Sequence, residues 1–69
     1  MRRKKLKRWL SEEVNNGFLT NKEAAHVERY IEKRTGFPSK LLYVSGRTLF
    51  SEVADFTYDI HSLVNEALR

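Results

Sequence analysis

The 69-residue chain contains no cysteine. Disulfides, thiolate metal sites and a thiol nucleophile are therefore excluded, and an intracellular setting, cytoplasmic or nucleoid-associated, is the expectation. No apolar run approaches the ~18 residues of a membrane span, so no membrane association is expected. The basic start MRRKKLKRWL lacks the apolar core of a signal peptide. Glycine is limited to three residues spread along the chain, which leaves no phosphate-binding loop. Histidine occurs only as His26 and His61, without the spacing of a metal pair. The serines have no paired base, and Asp55 and Asp59 read as a solvated acidic face. No catalytic residue, metal or cofactor is expected, and no enzymatic activity.

Charge is what the chain has in abundance, and it is unevenly placed. Of thirteen basic residues, six (Arg2, Arg3, Lys4, Lys5, Lys7, Arg8) fall within residues 1–8. The other seven stand against nine acids, and residues 51–69 set Glu52, Asp55, Asp59 and Glu66 against Arg69 alone. A basic head and an acidic tail suit orientation on a polyanion. Residues 1–69 read as one small domain, with 1–8 a basic, partly mobile arm.

The spacing predicts a helix over Arg2–Asn15, carried by Leu6, Trp9 and Leu10 and stopped by Asn15-Asn16-Gly17. Like charges at its N-terminus oppose the helix dipole, so Met1–Lys5 are expected to fray and to order against an anion. A second helix, TNKEAAHVERYIEKRT, opens with a capping box of Thr20 and Glu23 and stops at Gly36-Phe37-Pro38. Ala24, Val27 and Ile31 line one side, with Tyr30 flanking, while Lys22, His26, Arg29 and Lys33 form a stripe on the other. Leu41–Val44 and Arg47–Phe50 flank Ser45-Gly46 and predict a hairpin with the pairs Val44/Arg47, Tyr43/Thr48, Leu42/Leu49 and Leu41/Phe50. A last helix over Ser51–Leu68, capped by Ser51, is expected from Val53, Phe56, Ile60, Leu63, Val64 and Ala67. Tyr58 falls off that stripe and suggests a contact with another chain. The fold class is α+β, mostly helical, in the order helix, helix, β-hairpin, helix.

That order resembles the compact winged-helix domains of phage and transposon excisionases and of mercury-resistance-type regulators. Leu10-Ser11-x-Glu13-Val14 looks like the start of their first helix. Val27-Glu28-Arg29-Tyr30-Ile31, running to Phe37-Pro38, resembles a recognition helix, and Gly46-Arg47-x-Leu49-Phe50-Ser51-Glu52 resembles a wing closing onto a capped helix. The usual Gly–apolar–Ser turn is replaced by Asn16-Gly17-Phe18-Leu19-Thr20. Leu19-Thr20-x-x-Glu23-Ala24-Ala25 also resembles the family's first helix, a register that leaves too few residues before the wing. The resemblance implies a DNA-binding accessory or regulatory factor of a phage or mobile element, with helix 20–35 in the major groove and the hairpin as wing.

On this reading Lys22, His26, Arg29 and Lys33 face the groove, Asn21 adds a contact, and Lys40 and Arg47 act from the wing. Arg2, Arg3, Lys4, Lys5, Lys7 and Arg8 bind phosphates. Duplex DNA is the favoured partner, and RNA is the other nucleic acid the charges admit. The rival expectation is a protein-interaction module, a small inhibitor or adaptor docking on a host protein through Asp55, Tyr58 and Asp59 of helix 51–68. That helix is also the expected site of any homodimer.

Overall fold

The computed structural model describes residues 2–69; Met1 lies outside the described residues. Among the described residues the chain runs β1 (Lys4–Lys5), α1 (Leu6–Asn15), α2 (Asn21–Thr35), a 3-10 turn (Ser39–Leu41), β2 (Leu42–Ser45), β3 (Thr48–Ser51), β4 (Ala54–Asp59) and α3 (Ile60–Leu68). The four strands make one antiparallel sheet in chain order. The fold is therefore α+β and mostly helical. No described helix is long and apolar enough to cross a membrane.

Local chemistry sets both ends of α2. The Thr20 hydroxyl accepts from the Glu23 N–H at 3.0 Å, and the Glu23 carboxylate accepts from the Thr20 N–H at 2.9 Å. These two bonds complete the expected capping box and satisfy donors that the first turn leaves free. Gly36 ends the helix in the left-handed region at φ 82°, and Pro38 cannot continue it. At the end of α1, the Phe18 N–H bonds to Glu13 O and the Gly17 N–H to Val14 O. That pair of bonds is a Schellman closure.

The basic head departs from expectation. The helix begins at Leu6 instead of Arg2, and Lys4 and Lys5 pair with Val44 and Tyr43 as an edge strand. Clustered cations at a helix N-terminus are unfavourable, and strand pairing gives their backbone another set of partners.

The hairpin forms, but its loop is Gly46-Arg47, with Ser45 opposite Thr48, Val44 opposite Leu49 and Tyr43 opposite Phe50. Gly46, at φ 60°, takes the first loop position, where type II′ hairpins need glycine. In the expected register Arg47 shared a face with Leu42, Val44 and Leu49. The observed register makes Arg47 a loop residue at the projecting tip, where it was expected to be exposed, and brings Ser51 onto the buried face opposite Leu42.

The larger correction is the last helix. Residues 51–59 are the end of β3, a Glu52-Val53 turn and the strand β4, so the helix spans only Ile60–Leu68. Val53, Phe56 and Ile60 fit a helical stripe, but Ala54, Phe56 and Tyr58 also alternate with Asp55, Thr57 and Asp59. The second period wins: the alternation of partly buried and exposed residues runs through all of β4, while Val53 is 65 % exposed. Thr57 and the aromatics favour a pleated, half-buried surface. Ser51 is a buried strand residue whose hydroxyl accepts from the Val53 N–H at 3.3 Å. The cap of α3 is Asp59, which accepts from the Ser62 N–H at 3.1 Å.

All three helices lie on one side of the sheet. α2 packs against α1 and α3, which rest on β2 and β4 respectively. One core joins Leu6, Trp9 and Leu10 of α1, Val27 and Ile31 of α2, Leu42, Val44 and Leu49 of the sheet, and Ile60, Leu63 and Ala67 of α3, with Leu19 from the α1–α2 joint. Trp9 and His61 meet in a T-shaped contact, with ring centroids 5.9 Å apart.

Leu49 is fully buried at the centre of the sheet, whereas Phe18 is 71 % exposed. In urea unfolding, Leu49→Ala is expected to cost about 2–5 kcal/mol. Phe18→Ala is expected to stay within about 0.5 kcal/mol of the parent.

Candidate nucleic-acid interface

The outward face of α2 carries Asn21, Lys22, His26, Arg29 and Lys33, all exposed. Among the described residues, Lys22, Arg29 and Lys33 form no ion pair with a carboxylate. Lys22 and Lys33 lie eleven residues apart, about 16 Å along the axis. Of the three acids of α2, Glu32 borders the groove beside Arg29 and Lys33, Glu23 and Glu28 lie to either side of the stripe, and all three are engaged. Glu23 is in the capping box, the Glu28 carboxylate accepts from the Ser39 hydroxyl at 2.6 Å, and Glu32 accepts from the Ser39 N–H at 2.6 Å.

His26 has a different position from the rest of the stripe. Its Nε2 lies 2.8 Å from the Ala67 carbonyl oxygen. A carbonyl can only accept, so Nε2 carries the proton and the ring caps the last turn of α3.

The basic surface continues beyond the helix. A groove along Arg29 and Lys33 is floored by Tyr30, Phe37 and Pro38. Pro38 also borders the adjoining pocket, whose other walls are Ser39 and the three lysines Lys5, Lys7 and Lys40. These lysines come from β1, α1 and the 3-10 turn, brought together by the pairing of β1 with β2. Lys5 and Lys40 have no carboxylate partner among the described residues, and Lys7 lies 3.9 Å from Glu28.

Other members of the head turn elsewhere. Arg2 is exposed and without an ion pair among the described residues. Arg3 pairs with Glu52 and lays its guanidinium 4.5 Å from the centre of the Tyr43 ring. Lys4 pairs with Glu12, and Arg8 lies 3.6 Å from the same carboxylate. Lys4 and Arg8 hold the Glu12 carboxyl below the ordinary carboxylate range, the Lys4 hydrogen bond being the largest cause. At the hairpin tip Arg47 lies 3.3 Å from Asp59, and its carbonyl accepts from the Ile60 N–H at 2.8 Å. The tip is thereby tied to the start of α3. Asp59 is also held low, first by the Ser62 N–H and then by Arg47.

The docking surface expected on helix 51–68 is not assembled. Asp55 and Asp59 are exposed on one face of β4, while Tyr58 points to the other face and packs on Phe56. The Tyr58 ring faces Arg34 at 5.2 Å, and Arg34 lies 3.7 Å from Glu66, which also accepts from the Tyr30 hydroxyl at 2.8 Å. That bond to Glu66 raises the Tyr30 phenol above its ordinary pKa. Sequence reading missed Arg34 as a bridge between α2, β4 and α3, and it missed the outward pair Tyr43 and Phe50. The alternation Leu42-Tyr43-Val44 carried the second signal. Comparison with protein families, curated proteins and solved structures finds no match to this chain.

The lowered carboxyls set the sign of the pH dependence. Glu12 and Asp59 have lower pKa values folded than unfolded, so they contribute stability above the ordinary carboxylate range and lose it as pH falls through their folded values. Thermal midpoints followed from neutral to acid pH should fall. In Glu12→Gln and Asp59→Asn the midpoint should start lower and fall less steeply; an unchanged acid slope in both variants would refute this assignment.

Proposed function

We propose that this chain binds nucleic acid, with duplex DNA as the preferred target, through α2 and the lysine cluster beside its C-terminal end. The observation that carries the reading is the division of charge on α2. Lys22, Arg29 and Lys33 face solvent without a carboxylate partner among the described residues, Arg34 turns to Glu66, and the acids are engaged in a cap and on Ser39. A helix with side chains is about 10–12 Å across, which suits a major groove about 12 Å wide. Arg29, at mid-helix, is the residue assigned to a base edge, with Lys22, Lys33 and Asn21 beside it. Lys5, Lys7 and Lys40 are assigned to backbone phosphates, which fix register without reading sequence. His26, at the margin of this face, holds α2 against α3 through Ala67.

The finer reading is a winged-helix-like factor of the phage or mobile-element kind, in which α2 is the recognition helix and the Gly46-Arg47 loop the wing. The wing then belongs to a four-stranded sheet, and Arg47 reaches phosphate from a surface pair with Asp59. Exposed pairs of this type are weak and exchange readily for a phosphate.

Anisotropy with labelled duplex DNA, single-stranded DNA and duplex RNA at two salt concentrations tests both levels. Duplex DNA should bind tightest. Lys5→Ala, Lys7→Ala and Lys40→Ala together should flatten the log K against log salt slope by about 0.9 per lost phosphate contact. Arg29→Ala should cost about 1–3 kcal/mol on a preferred sequence and relax the preference. No binding to any of the three at low salt ends this proposal.

A further inference from the structure

The face of the sheet away from the helices is open to solvent. Strand register places Lys5, Tyr43, Phe50 and Thr57 in one row across all four strands. The alternate residues Val44 and Leu49 point the other way, into the core. Tyr43 and Phe50 stack with centroids 5.8 Å apart and ring planes 29° from parallel. Charge on this face is split by edge. The β1 edge presents Lys5 and Arg3, the latter paired with Glu52, and the β4 edge presents exposed Asp55 and Asp59, the latter paired with Arg47, on either side of Thr57.

We propose that this face packs against the same face of a second copy of the chain, about a two-fold axis running along the strands. Such an axis carries β1 over β4 of the second copy and β2 over β3, while keeping each residue's level along the strands. The row then meets itself in reverse. Tyr43 lies over Phe50 of the second copy, with the Arg3 guanidinium stacked between the rings. Lys5 lies over Thr57 of the second copy, between that copy's Asp55 and Asp59. A two-fold axis across the strands would instead set cations over cations and acids over acids, an arrangement that like-charge repulsion disfavours. The same acids argue against single-stranded nucleic acid as the occupant, since Glu52, Asp55 and Asp59 border the aromatic pair and repel phosphate.

Facing sheets pack about 10 Å apart with strands nearly aligned, which this axis permits. A four-stranded face is only about 19 Å across, so it buries less than the roughly 800 Å² per partner of a standard interface. The dimer is accordingly weak and concentration-dependent.

Sedimentation of the full chain without nucleic acid, from micromolar to millimolar concentration, should show reversible dimerisation at the upper end. Lys5→Asp and Asp55→Lys, both exposed and each checked for folding by circular dichroism, should weaken self-association by at least about tenfold. Mixed together they should form a heterodimer, because the two altered residues then meet each other as an opposite-charge pair in one contact while the native Lys5–Asp55 pair remains in the other. Phe50→Asp should abolish the dimer without rescue by either. A monomer throughout the range, or a mixture no better associated than the single variants, overturns the proposal. Since no nucleic acid is present, neither result bears on binding through α2.

Discussion

Ser39 is held by two carboxylates of one helix, and much of the proposed binding surface depends on that grip. Its hydroxyl donates to Glu28 and its N–H to Glu32, one turn apart on α2. Hydrogen bonds to ionised acceptors are the strong kind, and Ser39 is buried. The contact fixes the direction in which the chain leaves α2 for the sheet, past Gly36 and Pro38. It also fixes where the Glu28 and Glu32 carboxylates sit relative to Arg29 and Lys33. Lys40 is carried by the same turn to the side of Lys5 and Lys7. One serine thus links the charge division on α2 to the lysine cluster beyond it.

At the opposite end of the sheet Asp59 has a comparable role. It ends β4 opposite Thr48, caps α3 through the Ser62 N–H and holds Arg47. The Ile60 N–H to Arg47 O bond adds a backbone tie at the same point. Strand, hairpin tip and helix are therefore joined where the chain changes from an extended to a helical path. The hairpin tip is braced, so any contact it makes with a ligand comes from a fixed position.

How legible these features were in the sequence follows from how local they are. α2 could be read almost completely, because Thr20, Glu23 and Gly36 act within a few residues of the ends they define. Its buried and exposed faces follow from the same period. The strand β4 could not be read in the same way, since Phe56 serves a helical and an alternating pattern equally well. What decides between them is pairing with β3, a contact outside any local window. The hairpin register turned on keeping Arg47 off the buried face, which spacing alone does not weigh. For the candidate site, Lys22, Arg29 and Lys33 were visible as a stripe. The attachment of His26 to Ala67 was not, because its partner lies forty-one residues away. The convergence of Lys5, Lys7 and Lys40 was likewise hidden until β1 was seen to pair with β2.

The two proposed surfaces constrain each other through the layering of the fold. Val27 and Ile31 point from α2 into the core, and Leu42, Val44 and Leu49 point into it from the sheet. The basic stripe and the open sheet face therefore look in opposite directions. In a helix-turn-helix dimer on a palindrome, both recognition helices face one side of the DNA, one helical turn apart. A pairing across the sheet faces turns the two α2 helices outward on opposite sides, so it cannot present them to adjacent grooves of one straight duplex. If both surfaces operate together, Lys5 serves the sheet contact, Lys7 and Lys40 are left for phosphates, and the assembly joins two duplex segments, with each α2 engaging its own. Because the sheet interface is small, this joining depends on protein concentration. Duplex binding by a single copy does not.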